Sequence, residues 1–183
     1  MGLYTTLSYS LSLFISLLIF HPNNVSIATQ TTYFLAFPRA STIAFGDENR
    51  YWNWTHVEYG GYTIEEAHLH PISWLDCRWN LHSSNFKLNT WYKAHIDVKL
   101  TSDAFGWTSP VNAKIEMPDG SKQESLIKLD RRENVGFAIS LGKFIITNST
   151  TSGVIQFGFY NHETKWKSGL VIRALVVNML TDE

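Results

Sequence analysis

The densest group of side chains suited to ligand chemistry in this sequence is the run Tyr51-Trp52-Asn53-Trp54. In an extended strand Trp52 and Trp54 point to one face, while Tyr51 and Asn53 point to the other. Two indole rings on one face serve either a hydrophobic core or an exposed platform for the apolar face of a sugar ring. The run by itself leaves both alternatives open.

Reactive groups elsewhere lack the spacing that catalysis needs. The sequence contains no nucleophile elbow, phosphate-binding glycine loop, dinucleotide fingerprint or metalloprotease helix. Among the seven histidines only His68 and His70 could share a strand face, which is a weak metal signal. The single cysteine, Cys77, excludes an intrachain disulfide, and its strand-like surroundings predict a buried, inert thiol. The sequence therefore disfavours the enzyme classes that carry these motifs, and we expect neither a cofactor nor a metal.

Composition bounds the size and the partners of the domain. The 183 residues, with 44% hydrophobic and 17% charged side chains, are suited to one well-buried domain. The net charge of −1 provides no global positive field for nucleic acid or an anionic membrane. The aromatic share of 14% is high, and aromatic side chains are useful both in β-sheet cores and on stacking faces.

Short strands are predicted to position these residues. Trp91–Leu100 alternates apolar and polar side chains most clearly, with the two-residue period of a half-buried strand. Further runs typical of strands cover residues 111–117, 125–129, 135–141, 144–147, 154–160 and 170–178. The turn Pro118-Asp119-Gly120-Ser121 joins two of them into a hairpin, and Thr63–His68 could form one short helix with Thr63 as its cap. This pattern predicts an all-β fold, either a sandwich or a barrel, for which an antiparallel β-sandwich of jelly-roll type is a common solution.

An apolar run marks a possible extension at the N-terminus. Leu11–Phe20 is too short to span a bilayer but suits the hydrophobic region of a signal peptide, and Ser26-Ile27-Ala28 supplies small residues for cleavage. No Lys or Arg precedes the run, so an uncleaved extension is the alternative. We expect residues 1–28 to be such a segment, residues 29–183 to form a single domain, and the mature protein to stay out of the membrane.

Motifs spread from about Tyr33 to Val177 carry a family resemblance. They are Tyr33–Ile43, Tyr51–Trp54, Ser73–Asp76, Pro118–Gly120, Gly142–Phe144, Phe157–His162 and Trp166–Leu170. In order and spacing they resemble the phloem protein 2 family, also called the Nictaba-type lectins, and most closely the small cucurbit phloem lectins. The resemblance implies a jelly-roll sandwich, a homodimer without catalytic activity, and a role in the phloem or in plant defence. It also implies binding of N-acetylglucosamine oligomers, such as chitin fragments and N-glycan cores.

The resemblance also implies a set of sugar-binding residues. Family members use the first Trp of the Tyr-Trp-x-Trp cluster and a Trp seven residues before it, positions that Trp52 and Phe45 occupy here. Phe45 keeps a stacking face but lacks the indole N–H donor. The expected carbohydrate-binding residues are Phe45, Tyr51, Trp52, Trp54, Tyr160, Asn161, His162 and Glu163. By contrast, the apolar patterns around Trp74 and Trp166 predict that both belong to the core.

Two other functions remain open. Related proteins are associated with phloem filament proteins and RNA movement, which makes a filament-associated or RNA-binding protein the main alternative, although the near-neutral charge disfavours strong RNA binding. An enzyme acting on glycans would need paired carboxylates across a cleft. The family implies sieve elements or cytoplasm, whereas a functional signal peptide implies secretion. Only secretion would expose the sequons at Asn24, Asn53 and Asn148 to glycosylation.

Overall fold

The two-residue alternation of apolar side chains folds this chain into two antiparallel sheets packed face to face. The computed structural model describes residues 19–21, 25–29, 33–129, 135–150 and 152–180. Within them the strands are β1 (Ile19–His21), β2 (Val25–Thr29), β3 (Tyr33–Ala36), β4 (Ser41–Ile43), β5 (Trp52–Tyr59), β6 (Tyr62–Leu69), β7 (Leu75–His82), β8 (Trp91–Phe105), β9 (Val111–Glu116), β10 (Lys122–Ile127), β11 (Gly136–Ile145), β12 (Val154–Asn161) and β13 (Ser168–Met179). The predicted all-β sandwich of jelly-roll type is confirmed.

The long strand β13 organises the larger sheet. One of its edges pairs with β8, which in turn pairs with β11. Its other edge pairs with β3 at the C-terminal half and with β6 at the N-terminal half. In the described part of the chain this sheet has eight strands, because β1 and β2 continue from β3 and β5 pairs with β6. The smaller sheet has the order β10-β9-β12-β7-β4.

The inner faces of both sheets supply the core. Strand β7 shows the principle, because every second side chain of this strand is buried and the others point outward; the buried ones are Leu75, Cys77, Trp79 and Leu81. The opposing core residues of β12 include Phe157 and Phe159. Burying each such side chain contributes roughly 1.5–3 kcal/mol to stability. The predicted burial of Cys77 is confirmed, and burial raises the pKa of its thiol.

The segment Thr63–His68, predicted as a possible short helix, lies in strand β6, so that prediction is wrong. β6 pairs with β5 over eight residues and also contacts β13. A helix cap is a local signal, and these tertiary pairings override it. Glu66, three residues beyond the predicted cap, is buried, and its carboxylate accepts hydrogen bonds from Lys99 at 3.3 Å and Arg173 at 3.1 Å.

Two predicted strands, residues 135–141 and 144–147, are one strand in the structure. β11 continues through Gly142 to Ile145, and its pairing with β8 shifts register between Ser140 and Gly142. The predicted break at Gly142 is therefore a β-bulge rather than a strand end. Gly142 has a φ of 127°, which glycine adopts without strain.

The predicted signal peptide falls largely outside the described residues. Residues 1–18, which contain most of the apolar run, are not described, while β1 and β2 pair with each other and β2 pairs with β3. The division into residues 1–28 and 29–183 stays a prediction. No helix of the described ranges is long and apolar enough to cross a membrane.

Candidate functional site

Four loops meet at one end of the sandwich, which we call the loop end. They cover residues 44–51, 70–74, 106–110 and 162–167. Ile72 and Lys167 join two of these loops through two backbone bonds of 3.0 and 2.8 Å, and the Ala44 N–H donates at 2.9 Å to the carbonyl of Asp76 in β7. The side-chain amide of Asn161 donates to the Pro110 carbonyl at 3.0 Å. The loop end is therefore a continuous surface built from both sheets.

Large aromatic side chains are exposed at the loop end. Trp74 is 48% exposed and Trp166 is 57% exposed, so the prediction that both belong to the core is wrong. Trp74 comes directly before β7, and Trp166 lies two residues before β13. Beyond a strand end no opposing sheet covers the side chain, so the apolar pattern of the adjoining strands does not extend to these two residues.

The main feature of the loop end is a stacked pair formed by Trp74 and His162. Their ring centroids lie 3.9 Å apart and the planes differ by 6°. The His162 imidazole also donates through Nε2 to the Asp76 carboxylate at 2.9 Å. Tyr160 stands beside it, with a centroid separation of 4.7 Å. The imidazole is thus fixed from three sides, and much of the indole stays free for a ligand.

The Asp76 carboxylate also binds Arg78. Both oxygens of its carboxylate accept hydrogen bonds from Arg78, each at 2.6 Å. The hydrogen bonds to Asp76 raise the pKa of Arg78 above its usual value. A paired guanidinium and carboxylate fix each other's orientation more firmly than a single contact would. Arg78, Asp76, His162 and Trp74 therefore form one connected row.

Phe45 provides another exposed ring at the loop end. It is 45% exposed and packs against Tyr51 with a centroid separation of 5.3 Å. The backbone at Phe45 has a φ of 59°, in the left-handed region that is uncommon for residues other than glycine. Arg50 covers the Tyr51 ring at 4.5 Å. The predicted site residues Phe45 and Tyr51 are therefore together at the surface.

Trp52 does not form an exposed platform, which the role implied by the family resemblance would require. It is 1% exposed, and its indole N–H donates to the Ala44 carbonyl at 3.0 Å. Trp54 lies on the same face, half-buried, and donates to the Gly46 carbonyl at 3.1 Å. These two carbonyls flank Phe45. The paired tryptophans thus hold the loop that presents Phe45, and Trp52 is placed to support the site rather than to contact a sugar.

The residues at the end of β12 and just beyond it, Tyr160 to Glu163, differ in exposure. Asn161 is buried, and its amide oxygen accepts a hydrogen bond from the Glu163 N–H at 3.3 Å while its amide nitrogen binds Pro110. Asn161 therefore shapes the loop. Tyr160 and His162 are half-buried, and Glu163 is exposed. Three of the four predicted residues of this segment are accessible to a ligand.

Lys167 fixes the loop that carries Trp74. Its side chain is buried, and its ammonium group donates to the Ser73 carbonyl at 2.5 Å. Burial lowers the pKa of Lys167. The neighbouring Trp166 packs close to Gly106, where an added Cβ would lie 2.1 Å from the Trp166 carbonyl oxygen. Only glycine leaves room for this approach of two loops.

The described residues hold no group of three His, Cys, Asp or Glu side chains placed to bind a metal ion. His68, which the sequence pairs with His70, instead lies 3.8 Å from the Glu66 carboxylate. Burial lowers the pKa of His68. The arrangement at the loop end is one of stacking rings and hydrogen-bonding groups.

The phloem protein 2 family model matches residues 30–179 of the chain. The chain belongs to the phloem protein 2 family. A lectin of Coccinia grandis is 42% identical over 148 residues, which cover 80% of this chain and 94% of that protein. A lectin of Luffa acutangula is 36% identical over 149 residues, which cover 81% of this chain and 71% of that protein.

A solved structure supports the fold of this phloem protein 2 chain. The GH26-CBM35 β-(1,4)-mannanase of Podospora anserina superposes with a TM-score of 0.52 at 8% sequence identity. The match covers 84% of this chain and 29% of that one. At such low identity the likeness concerns the β-sandwich alone.

Sequence reasoning did not bring together the residues of the Trp74–His162 stack in this phloem protein 2 chain. Trp74 and Asp76 are separated from His162 by more than 80 positions, and only the pairing of β7 with β12 brings them together. The sequence did contain one indication, because Ser73–Asp76 is among the family motifs. A motif alone does not show whether its side chains point into the core or toward solvent. Of the residues that the family resemblance implies, Phe45, Tyr51, Tyr160 and His162 lie at or next to the loop end.

Proposed function

We propose that this phloem protein 2 chain is a lectin that binds N-acetylglucosamine oligomers at its loop end. The lectin names of the Coccinia and Luffa relatives support carbohydrate binding without catalysis. The observation that carries the location is the Trp74–His162 stack held by Asp76. A half-exposed indole fixed in this way offers a preordered apolar surface, and preordering lowers the entropic cost of binding.

The chemistry of the loop end suits a pyranose ring. The apolar face of a sugar packs on an aromatic ring, while its edge carries hydroxyl groups that need polar partners. Trp74 and Phe45 offer exposed rings, Tyr160 offers a hydroxyl next to the stacked His162, and Glu163 offers an exposed carboxylate. An acetamido group adds a methyl for an aromatic surface and an N–H for a carboxylate. These groups support the choice of N-acetylglucosamine that the family implies.

RNA binding receives no comparable support at this surface. Arg50 is paired with Glu48 at 2.8 Å, and Arg78 is paired with Asp76 at 2.6 Å. Cations that carboxylates already neutralise contribute little to phosphate binding. We therefore retain the lectin as the proposed function.

A calorimetric titration of the purified chain with N-acetylglucosamine trimer tests the proposal. We expect saturable binding, and no shortening of the sugar when the same sample is analysed after the titration. Cellotriose, which lacks the acetamido groups, is the control and should bind more weakly. Equal affinity for both sugars would remove the proposed specificity, and absence of binding to the trimer would remove the proposed function.

A further inference from the structure

Two segments of the chain cross the loop end in opposite directions. Residues 70–74 lead from β6 of the larger sheet to β7 of the smaller one, and residues 162–167 lead from β12 back to β13. An antiparallel bridge between Ile72 and Lys167 joins them. The first segment carries Trp74, and the second carries Trp166, which at 57% is the most exposed of the seven tryptophans.

The bridge determines the direction of the Trp166 side chain. Ile72 and Lys167, the bridged residues, are 3% and 1% exposed, so both side chains point into the molecule. In an extended segment the side chains of neighbouring residues point to opposite faces. Trp166, directly before Lys167, therefore points outward from the loop end, in agreement with its exposure.

The bridge also brings Trp166 close to Trp74. Because the pairing is antiparallel, Trp74 and Trp166 lie on the same side of the Ile72–Lys167 pair. The Cα atoms of such a pair lie about 5.5 Å apart, and successive Cα atoms lie about 3.8 Å apart. The Cα atoms of Trp74 and Trp166 are thus separated by on the order of 10 Å, which one short sugar chain can span.

Polar side chains lie between the two rings. The second segment begins with His162, which stacks on Trp74, and continues through Glu163, Thr164 and Lys165 to Trp166. The three intervening residues are all exposed. A chain of pyranose units needs aromatic surfaces for its apolar faces and polar groups for its hydroxyls. The crossing segment offers both.

Both ends of the second segment are fixed. At its start, the Glu163 N–H donates to the side chain of buried Asn161 at 3.3 Å. At its end, the ammonium group of buried Lys167 donates to the Ser73 carbonyl at 2.5 Å. A ring held on such a segment loses little freedom when a ligand binds.

We propose that Trp166 is a second stacking ring of the site and binds the sugar unit that follows the one on Trp74. The inference rests on the proposed lectin function and adds the direction of the ligand, which runs along residues 162–167 from the smaller sheet toward the larger one. A single N-acetylglucosamine occupies Trp74 alone, whereas an oligomer contacts both rings. Trp166 therefore determines the preference for oligomers over the monomer.

Three variants test this role. Trp166→Ala removes the ring, and Trp166→Phe retains a smaller stacking face. Trp91→Ala is the control, because it removes an indole that is 48% exposed at the start of β8, at the opposite end of the sandwich. Thermal unfolding verifies that each variant folds.

Calorimetric titration with N-acetylglucosamine trimer and an NMR titration with the monomer measure the effect. We expect Trp166→Ala to weaken trimer binding by about fivefold or more and to leave monomer affinity within about twofold of wild type. Trp166→Phe should bind the trimer more tightly than Trp166→Ala, and Trp91→Ala should match wild type for both sugars.

Three outcomes overturn the role of Trp166. They are wild-type trimer affinity in Trp166→Ala, an equal loss for monomer and trimer, and equal trimer affinities of Trp166→Phe and Trp166→Ala. If the wild-type chain binds neither sugar, the lectin function itself fails, which is a distinct result.

Discussion

At the scale of single residues, position relative to a strand end decides what each tryptophan does. Trp52 begins β5 inside the sandwich and is buried, whereas Trp74 precedes β7 and is half exposed. Both are indoles flanked by apolar residues, so residue type alone gives no distinction. The buried ring stabilises the fold and the exposed ring is available to a ligand.

The first prediction concerns stability. Trp52→Ala should lower the free energy of unfolding by about 3–5 kcal/mol, because the change leaves a cavity and removes the hydrogen bond to Ala44. Trp166→Ala, at a side chain that is mostly exposed, should change it by less than about 0.5 kcal/mol. Denaturant unfolding of both variants measures the difference. Equal stabilities would show that the Trp52 ring is not part of the core.

A second prediction concerns the thiol of Cys77. The side chain is fully buried, and burial raises its pKa, so the reactive thiolate is scarce in the folded protein. We expect a thiol reagent at neutral pH to leave the native chain unmodified and to label it fully in denaturant. Mass spectrometry measures the extent of labelling. Rapid labelling of the native protein would contradict the described packing of β7.

At the scale of elements, the loop between β4 and β5 depends on a set of contacts around Trp54. The Arg39 guanidinium lies 3.6 Å from the centroid of the indole and donates to Glu65 of β6 at 2.8 Å. Trp54 in turn donates to the carbonyl of Gly46 in that loop. The ion pair between Arg39 and Glu65 of β6 thereby supports the loop that presents Phe45.

This arrangement predicts a pH dependence. The hydrogen bond from Arg39 lowers the pKa of Glu65 below its ordinary value of 4.5. The folded state therefore holds the proton less tightly than the unfolded state, so this stabilisation is complete above pH 4.5 and is lost as the pH falls through the lowered pKa. In Glu65→Gln the melting temperature should fall less steeply over that acidic range. Glu58→Gln, which changes an exposed carboxylate, provides the control. Equal acid sensitivity of Glu65→Gln and wild type would contradict the stabilising role of the Arg39–Glu65 pair.

The two-residue period of the strands was sufficient to predict the fold, because burial on one face imposes that period. It could not place Thr63–His68, where the helix cap is a local signal and the deciding partners, β5 and β13, are distant in sequence. The two-residue period also could not show where β7 and β13 begin. For this reason Trp74 and Trp166 were wrongly predicted to belong to the core. Only the family pattern singled out Phe45 as a candidate, since its exposure depends on the loop that Trp52 and Trp54 hold.

At the scale of the whole molecule, the sandwich leaves several strands with one free edge. Among the described strands, β1, β4, β5, β10 and β11 each pair with a single neighbour. Open edges favour association with a second chain unless charge or curvature protects them. The family resemblance implies a homodimer, and the edges offer places where two chains could meet.

We accordingly predict a homodimer in solution. Light scattering across the micromolar range should give about twice the mass of one chain, because closed two-fold association is the commonest state of soluble oligomers. A single-chain mass over the whole range would eliminate the dimer and leave the sugar site unaffected, since every residue of that site comes from one chain.

The central claim is that the loop end, through Trp74, binds N-acetylglucosamine oligomers. Trp91 is the matched control: it is also 48% exposed, but it begins β8 at the opposite end of the sandwich, 14 residues before Phe105. Calorimetric titration of the trimer into Trp74→Ala should show affinity reduced by about 1–3 kcal/mol, roughly 5- to 150-fold. Trp91→Ala should bind within about twofold of wild type. Wild-type affinity in Trp74→Ala, or an equal loss in both variants, would contradict the account.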